Sequence, residues 1–598
     1  ARSRGEIELA VLAVDAGELD DAQLRDFFPL PSRPVKPACW SSSVWALWPE
    51  MMMLSIFVLA NLATALLLIR GEIMLAGVYR SITPWGLMFC IGVPHLAMHL
   101  LRLLGSICCC FLETCNAQAT QTDLPAAMLA HRSYSAICDL AIIVFWYLAF
   151  GITSMAAWRT CHSMEDISGS PEELASRIKF PRNFSFGAAS SAYQVEGGLY
   201  NSNWYEWQEN FTHARGYGPT ICDGQQVGLA ADVWNHFSED IESMRRIGLQ
   251  TYRLSIAWSR VHPSRNTFDE QAIRQYRDWM QQLRQASIEP MVTLHHYDEP
   301  IWVSNQGSWT NDETVLDWLR FVRFVVDQLQ DVVDLYCTMN EAVSVAGLGY
   351  LWARWPPGRH WKLNQWWLAI SNMVNAHKQA YKLLHEVDVV DADGDGDPVL
   401  VGNAMPVNLY KPRALWNIID PALAGLCIFT VTLWYLGAIE AESHLDWIGV
   451  NHHAFVDIHS GAYETWDIAH SLHSSVCEVH QWYPGKRLHV TQHGISQEEL
   501  RDARRAAFVT RALTGLQRAA ESGAPVDSYQ YWSLLDTFEW EDGFYPRYGL
   551  FRVDFTNRER TARDFAGLYG KMAKAHAATR REHAERTSEL IRSRRLTS

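Results

Sequence analysis

At 598 residues the chain is long enough for more than one domain, and its 48% hydrophobic and 20% charged residues are ordinary for a globular protein. A net charge of −15 excludes a polyanion-binding chain, so no nucleic-acid partner is expected. The 12 cysteines include no pair at zinc-ligand spacing, and neighbours such as Cys108–Cys110 do not read as a disulfide framework, so reduced thiols and neither metal nor cofactor are expected.

Residues 1–40 are polar and acidic, with Pro31, Pro34 and Pro37 near their end, and read as an extended arm. The composition then changes. Met51–Ile69 and Leu140–Trp158 are each 19 residues without a formal charge; Ser81–Leu101 is 21, and its apolar character continues past Arg102 to Leu112. A bilayer span needs about 20 such residues. The pattern predicts an all-α transmembrane region over 41–160, with helices at about 44–69, 82–112 and 136–158, and so an integral, multi-pass protein whose first partner is the lipid bilayer. A buried helical bundle is the alternative. Trp45, Trp48, Trp146 and Trp158 suit interfacial anchoring. Flanking Lys/Arg residues are evenly divided, so orientation is not readable. Ala1 at the start fits a removed presequence, which allows an organelle inner membrane, or simply a choice of start. His95 and His99, one helical turn apart, are read as hydrogen-bonding between helices rather than as metal or haem ligands.

From about Phe180 short apolar runs alternate with helical periodicity, which predicts βαβ units and a parallel sheet. The candidate strands are Ser185–Ala189, Thr251–Ile256, Pro290–Leu294, Val333–Met339, Pro398–Ala404, Trp447–Val450, Leu488–Thr491 and Ser528–Ser533. Eight strands over this length predict a (β/α)8 barrel of the α/β class. Pro421–Ile439, 19 uncharged residues between the fifth and sixth strands, does not fit a plain barrel. A single crossing there would split one barrel across the membrane, so contact with membrane or with other membrane subunits is set against burial in the barrel. The last stretch, 571–598, carries eight Lys/Arg against three Glu and reads as a solvated basic tail.

Seven segments carry a resemblance. They are Phe180–Gly198 (FPRNFSFGAASSAYQVEGG), Tyr252–Pro263 (YRLSIAWSRVHP), Val292–Pro300 (VTLHHYDEP), Thr338–Glu341 (TMNE), Trp447–Asn451 (WIGVN), Val490–Gly494 (VTQHG) and Tyr531–Trp540 (YWSLLDTFEW). In this order and at this spacing they are similar to the signatures of glycoside hydrolase family 1, the β-glucosidase family, over about residues 178–570. The resemblance implies a retaining mechanism, in which one carboxyl group protonates the leaving oxygen and a second attacks the anomeric carbon. It places Glu341 at the acid/base position, after strand four, and Gln492 at the nucleophile position, after strand seven. A neutral amide is a poor nucleophile and cannot stabilise an oxocarbenium-like charge as a carboxylate does.

Other departures surround the same place. The family has Asn where this chain has His493, Pro where it has Ala342, a Tyr that contacts the nucleophile where it has His453, and Trp where it has Tyr297. The resemblance implies a sugar cradle of Gln194, His296, Asn340, Trp532, Glu539 and Trp540, with Arg253 beneath the nucleophile. Those residues either hold a sugar or glycolipid or persist as a satisfied buried network.

The reading carried forward is a membrane-anchored, catalytically inactive family 1-like protein serving as an accessory subunit of a membrane assembly. An active retaining β-glycosidase or transglycosidase on a β-glucoside, β-galactoside or glycolipid, and a non-catalytic carbohydrate or glycolipid binder, are the alternatives.

Overall fold

A computed structural model describes residues 167–210, 212–213, 216–411, 434–440, 443–453, 455–457, 463–464 and 468–579. The acidic arm, the three apolar runs, His95, His99 and Cys108–Cys110 lie outside the described residues. Among the described residues no helix is long and apolar enough to cross a membrane.

Eight parallel strands close into a barrel: β1 (Ser185–Ala189), β2 (Thr251–Ser255), β3 (Glu289–His295), β4 (Leu335–Asn340), β5 (Leu400–Pro406), β6 (Trp447–Asn451), β7 (Arg487–His493) and β8 (Val526–Trp532). They pair in chain order, and β8 returns to β1 with Ala188 opposite Tyr531. All eight expected strands are present, shifted by at most two residues at an end. Every strand is buried almost throughout, as expected of a parallel barrel whose outer face is covered by helices.

The outer helices form where an apolar stripe meets an end signal. In α1 (Glu270–Gln285) the Asp269 carboxylate accepts from the amides of Gln271 and Ala272, capping the first turn. Its Ala272, Ile273, Tyr276, Trp279, Met280 and Leu283 recur at helical spacing and are buried against the sheet. Similar stripes seat α2 (Glu313–Leu329), α3 (Leu363–Val387) and α4 (Ala503–Glu521). Inside the barrel, Met291, Leu335, Cys337, Ala404 and Trp447 fill one layer. Gly402 on β5 makes room for the Trp447 indole, since a Cβ there would lie 2.2 Å from the ring.

Of the uncharged 421–439 segment, the described part is the helix Trp434–Glu440, whose Tyr435, Leu436 and Ile439 are buried in the barrel core. Residues 421–433 lie outside the described residues. The basic stretch begins inside a final helix, 564–579, whose Met572 and Ala573 are buried and whose His576 bonds to the Phe184 carbonyl. Residues 580–598 are outside the described residues.

Candidate active site

Strand pairing becomes irregular at the carboxyl ends of β4 and β7. The β4–β5 register shifts between Cys337 and Asn340, and the β7–β6 register between Val490 and Gln492. Such irregularities bend a strand and re-aim its last side chains. They deliver Glu341 and Gln492 to one open cavity of about 610 Å³.

Glu341 follows β4 directly, with a left-handed backbone (φ 46°, ψ 53°) that starts a short helix, Ala342–Tyr350. Its carboxylate is held from two sides: Asn451 Nδ2 donates to Oε1 at 2.8 Å, and Ser344 Oγ donates to Oε2 at 2.8 Å. Thr491 Oγ1 donates to Asn451 Oδ1 at 2.7 Å, so the residue before Gln492 orients the amide that orients Glu341. The Tyr297 hydroxyl adjoins both groups. It accepts from Asn340 Nδ2 at 2.8 Å, and burial, with the neighbouring Glu341 charge adding to it, pushes its pKa well up.

Gln492 is buried at the cavity wall. The next residue, His493, turns outward: it hydrogen-bonds the Tyr529 hydroxyl and stacks on Phe508 of α4.

The expected cradle is largely assembled. Gln194, His296, Trp532, Glu539 and Trp540 line the cavity with Glu341, Gln492 and His453. Gln194 donates to the Phe538 carbonyl and accepts from Ser191 Oγ. Trp532 Nε1 donates to Glu539 Oε1 at 3.3 Å, the Thr537 hydroxyl donates to the same oxygen, and burial raises the Glu539 carboxyl to about 7 against those two bonds. Burial holds the His296 imidazole well below its ordinary pKa, with the Arg253 charge adding to the effect, and its Nδ1 is buried without a partner. Burial also lowers His453, which the Glu341 charge partly opposes.

Asn340, expected in the cradle, stands behind the wall beside Arg253, which is expected beneath the nucleophile position and reaches the residue before Gln492. Asn340 bonds His296 Nε2 and the Tyr297 hydroxyl, and accepts from Arg253 Nη2 at 2.7 Å. Arg253 is fully buried and donates to the Thr491 carbonyl of β7 and the Thr293 hydroxyl of β3, so with its bond to Asn340 it braces the ends of β7, β3 and β4 and does not face the cavity. Asn451, Ser344 and Tyr297 complete the site. Asn451 and Tyr297 stand within quoted motifs, but nothing in their spacing marks them as partners of Glu341, and Ser344 carries no signal of its own.

Among the described residues the groups of carboxylates close enough to share a cation lie away from the cavity, at Glu289, Asp334 and Asp393 and at Asp391, Asp393 and Asp395. Arg284 already bridges Glu289 and Asp334, at 2.6 and 3.2 Å.

Comparison with known proteins agrees with this geometry. The chain is 26% identical to a 6-phospho-beta-galactosidase of Clostridium acetobutylicum, over 66% of this chain and 97% of that one. It is 26% identical to Beta-glucosidase 47 of Arabidopsis thaliana, over 72% and 92%. Among solved structures, a beta-glycosidase from Pyrococcus horikoshii matches with a TM-score of 0.59 at 27% identity, over 67% of this chain and 96% of that one. The family model described as glycosyl hydrolase family 1 matches residues 176–414 and 448–578, and the chain belongs to that family.

Proposed function

We propose that this family 1 barrel keeps a sugar-binding cavity but no longer hydrolyses glycosides by double displacement, and that it serves as a membrane-anchored accessory subunit. The observation that carries the loss of hydrolysis is Gln492, which shares the cavity with Glu341 at the end of β7 and is read as the nucleophile position. A carboxamide there cannot form the glycosyl ester. Anchoring rests on the uncharged runs at 51–69, 81–101 and 140–158, and the accessory role on the pairing of an inert barrel with that region. Localisation to a membrane, and contact with other membrane subunits through the apolar runs and the 421–439 segment, belong to the same proposal.

The test is hydrolysis of 4-nitrophenyl β-glucoside by the detergent-solubilised full chain beside Gln492→Glu and Glu341→Gln. The native chain is expected to match Glu341→Gln, and Gln492→Glu to exceed both by roughly three powers of ten or more. Native turnover above the Glu341→Gln control would sink the inactive reading. It would favour an active β-glycosidase with a substitute nucleophile, which the retained Glu341 and cradle residues support. Sugar retained in the cavity without turnover would favour the carbohydrate-binding alternative.

A further inference from the structure

Beside the cavity mouth lies a surface that the chemistry above does not use. Trp352, 50% exposed, lines the cavity. Its ring lies 5.2 Å from that of Trp361, itself 57% exposed. Leu363, Trp367 and Leu368 follow at 60%, 53% and 42% exposure on the first turns of α3, and the Trp367 ring lies 5.3 Å from Trp434. Such large apolar groups, contiguous and exposed, mark an interaction surface and not a solvated one.

The strip is ordered. Trp361 N donates to the Leu351 carbonyl, Lys362 N to that of Tyr350, and Arg359 N to that of Gly349, so the loop is fastened to the end of the Ala342–Tyr350 helix. Its charge is one-sided. In a chain of net charge −15, residues 342–385 contain five Lys/Arg and no Asp or Glu. Arg359 and Lys362 are exposed and alternate with the aromatic groups, whereas Arg354 is paired with Glu541.

We propose that the Trp352–Leu368 strip docks on the surface of an anionic lipid bilayer. Indole rings favour the headgroup level, where an apolar body and a polar N–H are both satisfied. Arg359 and Lys362 supply attraction to anionic headgroups. The chain also returns at Trp434, against this strip, from a stretch whose residues 421–433 carry no formal charge. Docking turns the cavity mouth toward the lipid surface, so the sugar that reaches it is one carried on a lipid headgroup. That last step rests on the sugar-binding reading above; docking itself does not.

The experiment uses the full chain in vesicles of phosphatidylcholine alone or with phosphatidylserine, with tryptophan fluorescence quenched by doxyl-labelled lipid. Quenching is expected to be greater in the anionic vesicles. The double substitution Trp361→Phe and Trp367→Phe removes the reporters and should remove that excess. Arg359→Gln and Lys362→Gln should each weaken docking about five-fold, and added salt should act in the same direction. An excess that survives the Phe substitutions, or equal quenching in both vesicles, overturns the proposal. So does a strip shielded from lipid quencher by a bound protein. None of these readings needs catalysis, so docking and hydrolysis fail separately.

Discussion

Glu539 lines the cavity beside the expected sugar-binding residues. Burial raises its carboxyl to about 7. A sugar hydroxyl that donates to it binds the ionised form better, because a hydrogen bond to a charged acceptor is the stronger one. Binding therefore releases a proton, and affinity rises as pH increases through 7 and levels off above it. For methyl β-glucoside, calorimetry between pH 6 and 8 should show roughly a two- to ten-fold gain. Glu539→Gln should give a flat profile; a native profile equally flat would mean that Glu539 does not meet the sugar. At this scale the sequence was most legible where a residue sits in a motif. Glu341, Gln492 and five cradle residues reach one cavity as expected. The donors to Glu341 were not legible, because Asn451 and Ser344 are brought to it by the closing of β6 and the turn into the Ala342–Tyr350 helix. Asn340 is expected in the sugar cradle, yet it spends its hydrogen bonds on His296, Tyr297, Arg253 and Asn451, whereas Arg253, expected beneath the nucleophile position, bonds the Thr491 carbonyl next to Gln492.

The strands were legible because a parallel barrel strand is buried on both faces and reads as an unbroken apolar run between turns. Their ends were less so, since the last residues of β4 and β7 carry polar groups into the cavity and break the apolar pattern. The layer inside the barrel was not legible at all, because pleat and closure decide which side chains meet there. Gly402 shows the consequence. Alanine at 402 would put a Cβ 2.2 to 2.6 Å from three atoms of the Trp447 ring. That ring is buried and hydrogen-bonded through Nε1 to the Leu400 carbonyl, so it has little freedom to move aside. Gly402→Ala should destabilise the barrel by about 1–3 kcal/mol, as overpacking of a filled core does. Urea unfolding of the full chain in detergent, followed by barrel circular dichroism, measures it. A variant as stable as the native chain would show that the layer has slack. Gly402→Ala with Trp447→Phe should recover part of the loss.

Over the whole barrel, two populations of buried titratable groups pull stability in opposite directions. Burial raises Glu289 and Glu299 to about 8, and Glu196, Asp388, Glu478 and Glu539 to about 7. Between an unfolded value near 4.5 and these folded values the native state holds more protons, so stability falls as pH rises through that window. Burial lowers His377, His452 and His489 to about 4 and His295 to about 3. Below an unfolded value near 6.5 the unfolded chain takes up the protons these rings refuse, so stability falls as pH drops. The two windows overlap between about pH 4.5 and 6.5, where the six carboxyls outweigh the four imidazoles, and above about 6.5 the carboxyls act alone, so thermal unfolding of the full chain from pH 5 to 8.5 should show a midpoint that falls as pH rises, most steeply near pH 7. Glu299 tests the alkaline limb. Its Oε2 accepts from Ser308 Oγ at 3.0 Å, a bond that a carboxamide oxygen keeps. Glu299→Gln should therefore leave the midpoint at pH 4.5 nearly unchanged, raise it relative to the native chain at pH 6, and raise it further at pH 8.5. A midpoint that climbs steadily to pH 8.5 in the native chain would show that the arginines facing these carboxylates, Arg284 and Arg260 among them, outweigh burial.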